Sequence, residues 1–253
     1  MMELLRCEFK KTRRRYITLT TLGITGVELA WVLYGDYNPD MLRTGWMMFL
    51  YQMPLYNALF IPILAMVISS RLCDLEHKGV MFKQLCSIMP KGKLYDAKLL
   101  YGLGMMWISV IVSWIGLILF GIVKGFEGAL PIRLYLFYLL FTLVPATVLY
   151  VFQHTLSMLF RNQAVAFFTG IIGEFLGVFS MFLSQIPFLR SILIWGSFGV
   201  LQFVGMYGWT NETRMSTVYY EVMDIDWLYC VALAAAGMVM YLIGRKLFCE
   251  SEG

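Results

Sequence analysis

The chain has 253 residues, of which 60% are hydrophobic, 16% aromatic and only 14% charged, with a formal net charge of +4. A soluble domain of this size carries roughly 25% charged residues, so the composition excludes an ordinary soluble globular protein and points to an integral membrane protein. No GxxxxGK[ST], HExxH or GxSxG run occurs, and the polar segments are too short for a nucleotide-binding domain, so any ATP-driven work needs a separate motor chain.

At the N-terminus, Arg6, Lys10, Lys11, Arg13, Arg14 and Arg15 precede the first apolar run. Ahead of a hydrophobic stretch such a cluster is an anchor of the positive-inside kind rather than a nucleic-acid patch. Residues 1–16 read as an interfacial helix, with Leu4, Leu5 and Phe9 toward the membrane and the bases toward anionic headgroups. The run 16–34 is too long for a signal-peptide core and ends in WVLYGDYNPD, which makes it an uncleaved first span.

Crossing a ~30 Å hydrocarbon core takes about 20 apolar residues. Six segments qualify, at about 17–35, 47–70, 99–123, 133–160, 164–186 and 227–247. Only a helix satisfies its backbone groups within such a segment. The expected fold is therefore all-α and integral to the membrane, in one domain over 1–253, with no dividing linker and no internal repeat. Fifteen of the 20 basic residues fall on the side that holds both termini, the 71–98 loop and Arg161. Arg43, Lys124, Arg133, Arg190 and Arg214 fall on the other, which places both termini in the cytoplasm.

Between spans two and three lies SSRLCDLEHKGVMFKQLCSIMPKGKLYDAK. Leu72, Leu75, Val80, Phe82, Leu85 and Met89 are spaced as one helix face, Asp74, Glu76, Lys78 and Lys83 occupy the opposite side, and Pro90 with Gly92 ends the helix. Such a helix either lies on the membrane surface or docks in a groove of a partner; its tether to a span at each end favours docking.

Two carboxylates fall inside spans, Glu28 in the first and Glu174 in the fifth, each roughly 15 Å from the cytoplasmic end. An acid there costs about 2.5–3.5 kcal/mol on insertion scales, so both should face protein or water, either as a polar element of a translocation path or as a protonated carboxyl bonded to a neighbouring helix, the latter favoured for Glu28. Glu174 sits beside Gly173 and Gly177, a GxxxG face that allows close helix approach, which makes span five the candidate pathway lining or subunit contact. His154, in span four, and His77, in the loop, lack ligand partners at metal spacing, so His154 is expected to bond a neighbouring helix. No pair among the five cysteines suggests a metal site or a disulfide framework.

The segment 188–209 is apolar enough to span, yet Gly196, Gly199, Gly205 and Gly208 weaken it as a helix, and a full span would put Arg245 and Lys246 outside. It reads as a re-entrant hairpin entering from the outer face, with Trp195, Phe198, Phe203, Tyr207 and Trp209 available to receive an amphipathic peptide. The polar stretch 210–226 completes an outer cap.

Taken together, EFKKTRRR, LYQMPLYNALFIPILAMVISSRLCDLEHKG, SIMPKGKLYDAKLL, RNQAVAFFTGIIGEFLGVFSMF, ILIWGSFGVLQFVGM and IGRKLF, in this order over nearly the whole chain, carry a family resemblance. The chain resembles the permease subunits of bacterial ABC-2-type exporters, in the lantibiotic-immunity branch. The resemblance implies six transmembrane helices with an N-terminal interfacial helix, a cytoplasmic coupling helix and a re-entrant outer hairpin between spans five and six. It also implies a partner ABC ATPase dimer that holds ATP and magnesium while this chain binds no cofactor, and a second, related or identical, permease. The cargo it implies is a lantibiotic-type peptide removed from the bacterial cell membrane. It sets Asp74, Glu76 and Lys78 in the coupling region, and Glu174 stands where a small or neutral residue is expected. The same fold would serve another antibiotic, a drug or a lipid, or a membrane peptide sensor. An intramembrane protease would need acids and histidines clustered on facing helices, and none are evident here.

Overall fold

The computed structural model describes residues 2–13, 16–78, 81–183, 185–211 and 217–251. Among these, side chains are described for all but Leu75, Lys78, Met81, Lys83 and Pro187. In chain order the helices are α1 (Met2–Arg13), α2 (Ile17–Leu33), α3 (Pro39–Lys78), α4 (Met81–Ile88), α5 (Lys91–Lys124), α6 (Ile132–Leu159), α7 (Gln163–Phe182), α8 (Pro187–Ile192), a 3-10 turn (Ile194–Gly196), α9 (Ser197–Val200) and α10 (Trp227–Glu250). Between α9 and α10, β1 (Val204–Tyr207) pairs antiparallel with β2 (Tyr219–Val222), Val204 opposite Val222 and Tyr207 opposite Tyr219.

Helices α3, α5, α6, α7 and α10 are each long and apolar enough to cross a membrane. A sixth candidate is the bent pair of α1 and α2. Helix α2 has only 17 residues and joins α1 at a bend of 71°, and Tyr16, at φ 54°, breaks the helical path between them. At 1.5 Å per residue α2 is about 25 Å long, short of the ~30 Å core, so it needs flanking residues or local thinning to complete a crossing.

The membrane-length helices otherwise match the expected segments, with two extensions. Helix α3 runs 40 residues through Pro54 and Pro62, and α5 starts at Lys91 rather than near 99. What reads as one loop helix is therefore the last turns of α3, a separate short α4, and the first turns of α5. Pro90 is the N-cap of α5, but Gly92 lies inside α5 and is buried against the Arg245 side chain, so it does not end a helix. Side-chain caps set other boundaries: Asn162 accepts from the Ala164 N–H at 3.1 Å at the start of α7, and Asp226 accepts from the Tyr229 N–H at 2.8 Å at the start of α10.

Helix α6 is central, flanked by α3, α5 and α10, with α7 packed mainly on α3. Two apolar clusters fill the interior. One surrounds Tyr95, Tyr150, Ile68 and Phe82; the other surrounds Trp46, Phe49, Phe126 and Tyr135 at the opposite end. Large apolar side chains instead face outward along α7 and α10, among them Phe168, Phe175, Phe179, Leu228 and Val231. Exposed in water these would form an oversized apolar surface; against lipid they are the expected outer face.

Helix α1 departs from the expected orientation. Its buried residues are Glu8 and Thr12, while Phe9 is exposed. The polar side turns toward the bundle because charges in α3 and α5 await it there.

Candidate functional site

The densest polar constellation lies where α1, the end of α3 and the start of α5 converge. Glu8 and Lys11 come from α1, Glu76 from α3 and Lys98 from α5. The spacing of Glu8 and Lys11, three residues apart, places both on one helix face. Lys11 Nζ lies 3.3 Å from Glu8 Oε1 and 3.1 Å from Glu76 Oε1. Lys98 Nζ lies 3.3 Å from Glu8 Oε2 and 3.0 Å from Glu76 Oε2, and donates to the Leu72 carbonyl at 2.8 Å. The four side chains thus form a closed ring of alternating sign with no net charge.

Burial makes this ring consequential. The side chains of Glu76 and Lys98 are 0% exposed, Glu8 5% and Lys11 29%. Removing one charge from such a ring strands its neighbours in a medium that solvates them poorly. Burial by itself lowers the Lys11 pKa, but Glu76 and Glu8 outweigh it and hold Lys11 above its ordinary value. With a raised pKa, its contribution to stability is complete below the unfolded lysine pKa and is lost only as pH climbs through the folded one, far above neutrality. Thr12 adds a hydrogen bond to Tyr101 at 2.6 Å, fixing α1 to α5 a second time.

Next to the ring, α4 bridges the ends of α3 and α5. Phe82 is its buried anchor, edge-on to His77 at 4.6 Å and packed on Phe248 at 5.8 Å. His77 Nε2 lies 3.1 Å from the Ser157 carbonyl, linking the end of α3 to α6. Gln84, Ser87 and Ile88 form the outward side, and Ile88 is 79% exposed. At the same end, Arg245 Nε donates to both Asp96 oxygens at 3.0 and 3.2 Å, and Tyr241 donates to Oδ1 at 2.9 Å, which clamps α10 to α5.

This geometry redistributes the residues expected to couple to a partner. Glu76 and Phe82 are buried and do not present to solvent; burial in an ion ring and an apolar contact, respectively, removes them from any docking face. Asp74 is half-buried. The side chains of Lys78 and Lys83 lie outside the described residues. The ring of Glu8, Lys11 and Lys98 with Glu76 was not anticipated, although two signals existed: an acid set between Arg6 and Lys10, and Lys98 as the last charge before the long apolar run of α5.

In α7, Gly173 and Gly177 are brought against Trp195, whose indole and backbone occupy the space their side chains would need. The small-residue face thus receives this chain's own segment rather than standing open for a second subunit. Glu174 is 8% exposed. Glu28 is buried too, and accepts from Ser113 at 3.1 Å. Trp195, Phe198 and Phe203 are core residues, at 8%, 2% and 3% exposure; Trp209, at 52%, and Tyr207 remain available at the surface. Apolar area drives the first three inward, where Trp195 meets Phe152 edge-on at 5.3 Å. Glu212 and Arg214 of the outer cap lie outside the described residues. His154 packs on the Tyr95 and Tyr150 rings, 4.8 and 5.9 Å away, and neither ring nitrogen has a hydrogen-bond partner among the described residues. Its contacts are thus made with Tyr95 of the neighbouring helix α5, through the ring and the adjacent backbone, and with Tyr150 of its own helix.

A family model described as ABC-2 family transporter protein matches residues 4–180, more than half of the chain. The matched region takes in the whole ion ring, α4 and Glu174. No curated protein and no solved structure matches the sequence.

Proposed function

The chain belongs to the ABC-2 transporter family, and we propose that it is the permease of an exporter that clears lantibiotic-type antimicrobial peptides from a bacterial plasma membrane; the membership supports the transporter, and the resemblance of its motifs to lantibiotic-immunity permeases supports the cargo. Membership makes it a multi-pass membrane subunit of a transporter and implies an ABC ATPase partner. In the proposed arrangement both termini and α4 face the cytoplasm, an ATPase dimer carries ATP and magnesium, and a second permease, related or identical, completes the pore. This chain itself makes and breaks no bonds and binds no cofactor.

The observation that carries the reading is the mounting of α4. It is suspended between two membrane-length helices whose ends are tied by a buried ring of four charges. A force applied to Gln84, Ser87 and Ile88 by a partner would pass through Phe82 and the ring into α1, α3 and α5 together. Such transmission requires packed elements with discrete arrangements, which a dense buried contact supplies.

The experiment is co-expression with an ABC ATPase, taken from the neighbouring genes where one is encoded there, followed by purification through a tag on this chain. The expected result is copurification of the ATPase, stimulation of its hydrolysis by a lanthionine-containing peptide, and peptide resistance in cells that express both. Copurification with hydrolysis that responds only to another antibiotic, a drug or a lipid would keep the exporter and replace the cargo. Absence of any ATPase partner would overturn the reading.

A further inference from the structure

At the end of the bundle away from the ion ring, a cavity of about 420 Å³ opens between α3, the end of α7 and the α8–α9 segment. Leu55, Met181 and Phe182 supply its apolar wall, and Gln52, Tyr56 and Arg190 bring polar groups to it. No hydrogen bond or ion pair joins the side chains of these three to a described residue. Gln202 is different: its amide donates to the Tyr51 carbonyl at 3.2 Å and the Val204 carbonyl at 3.3 Å, fixing one wall of the cavity. None of the residues lining it is acidic, so the positive charge of Arg190 is not answered within the cavity.

Its level in the molecule adds a second constraint. Gln52 precedes Arg71 by 19 residues along α3, about 28 Å at 1.5 Å per residue, close to the ~30 Å hydrocarbon thickness. With Arg71 at one boundary, the cavity lies at the other, the depth at which tyrosines and headgroups are usually found. A planar guanidinium beside free amide and phenol groups suits an oxyanion, and the adjoining apolar wall suits the body that carries it.

We propose that this cavity binds a single anionic group, a carboxylate or a phosphate, presented by an amphipathic molecule from the membrane leaflet opposite α4. Arg190 and Gln52 hold the oxyanion, Tyr56 donates to it, and Leu55, Met181 and Phe182 cover the neighbouring apolar portion. The peptide's terminal carboxylate and a phospholipid headgroup share this chemistry. The inference rests on the exporter reading only for the orientation of the chain and the identity of a peptide ligand. Binding to the purified chain needs no ATPase, so it can fail while export stands, and the reverse.

The test is equilibrium binding to the purified chain in dodecyl maltoside micelles, which carry no phosphate or carboxylate. One probe is fluorescent phosphatidylglycerol; the other is a lanthionine-containing peptide, compared as free acid and C-terminal amide. Arg190→Gln should weaken the anionic probe about tenfold or more, the scale of a lost charge-assisted hydrogen bond, and Arg190→Lys should retain most of the binding. Leu55→Trp, which fills the cavity without touching charge, should weaken it as well and serves as the principal variant if Arg190→Gln does not elute as a folded species. Dependence of phosphatidylglycerol binding on Arg190 assigns the headgroup; preference for the peptide acid over the amide assigns the carboxylate. Wild-type binding of both probes by Arg190→Gln and Leu55→Trp overturns the proposal, as does no binding of either probe to the unaltered chain. A loss confined to Arg190→Gln, with Leu55→Trp unchanged, places the anion on the surface and overturns the cavity site.

Discussion

At the scale of single residues, the ion ring gives the sharpest expectation, because its members are not independent. Lys98→Met leaves Glu8 and Glu76 facing one another with Lys11 alone between them, and should cost about 3–5 kcal/mol, the range for breaking a buried pair. Lys98→Met combined with Glu76→Leu should recover much of that loss, since Glu8 and Lys11 remain as a neutral, partly exposed pair. Thermal unfolding of the detergent-solubilised chain measures both; additive losses would mean that the four charges do not act as a unit. Gly173 gives a second residue-scale expectation. Gly173→Leu drives a side chain into the Trp195 indole, and overpacking of this kind costs about 1–3 kcal/mol. Trp195→Ala added to Gly173→Leu should restore part of it, as a thermal melt would reveal. If no such restoration occurs, the notch is not what seats that segment.

Among elements, α4 differs from its neighbours in having one side given to the bundle and the other left bare. The buried side, through Phe82, belongs to folding; under the proposed function the bare side, through Ile88, meets the ATPase. Ile88→Asp should therefore leave the melting temperature of the isolated chain unchanged while weakening ATPase copurification by the equivalent of about 1–3 kcal/mol, as for a central interface contact. Phe82→Ala should do the opposite first, lowering stability by about 3–5 kcal/mol through the cavity it leaves. Equal ATPase recovery from the wild type and Ile88→Asp would move the docking face elsewhere. The α5–α10 clamp through Asp96, Arg245 and Tyr241 sits at the same end, so four of the long elements (α1, α3, α5 and α10) are fixed to one another near α4.

For the whole molecule, the proposed orientation has a direct consequence for thiol chemistry. Cys7 and Cys249 are exposed near the two termini, while Cys73 and Cys230 are buried. In intact cells a membrane-impermeant maleimide should ignore the native chain and label Asn211→Cys, whose parent residue is exposed at the opposite end. Permeabilised cells should add labelling at Cys7 and Cys249. External labelling of Cys249 in intact cells would invert the arrangement, and with it the assignment of α4 to the cytoplasm.

The approximate limits of the five membrane-length helices were legible in the chain itself, because spanning length is a local property fixed by 1.5 Å per residue and a constant hydrocarbon thickness. The same holds for the short helix between spans two and three and for the glycine-broken segment after α7, where helix propensity fails over a few residues. What local pattern could not reveal was which face of each segment turned inward. Helical periodicity placed Glu76 with the polar residues of a loop, but burial depends on Lys11 and Lys98, which lie 65 and 22 residues away. The GxxxG face announced a close approach without naming what approaches, and only the folded chain brings Trp195 to it. The aromatics of 188–209 read as a surface for a ligand, yet three of the five singled out are more valuable as apolar core. Contacts between residues far apart in sequence leave no local periodicity, so pairing of charges and filling of notches are decided by the tertiary structure, where the cost of an unpaired buried charge or an empty cavity is finally set.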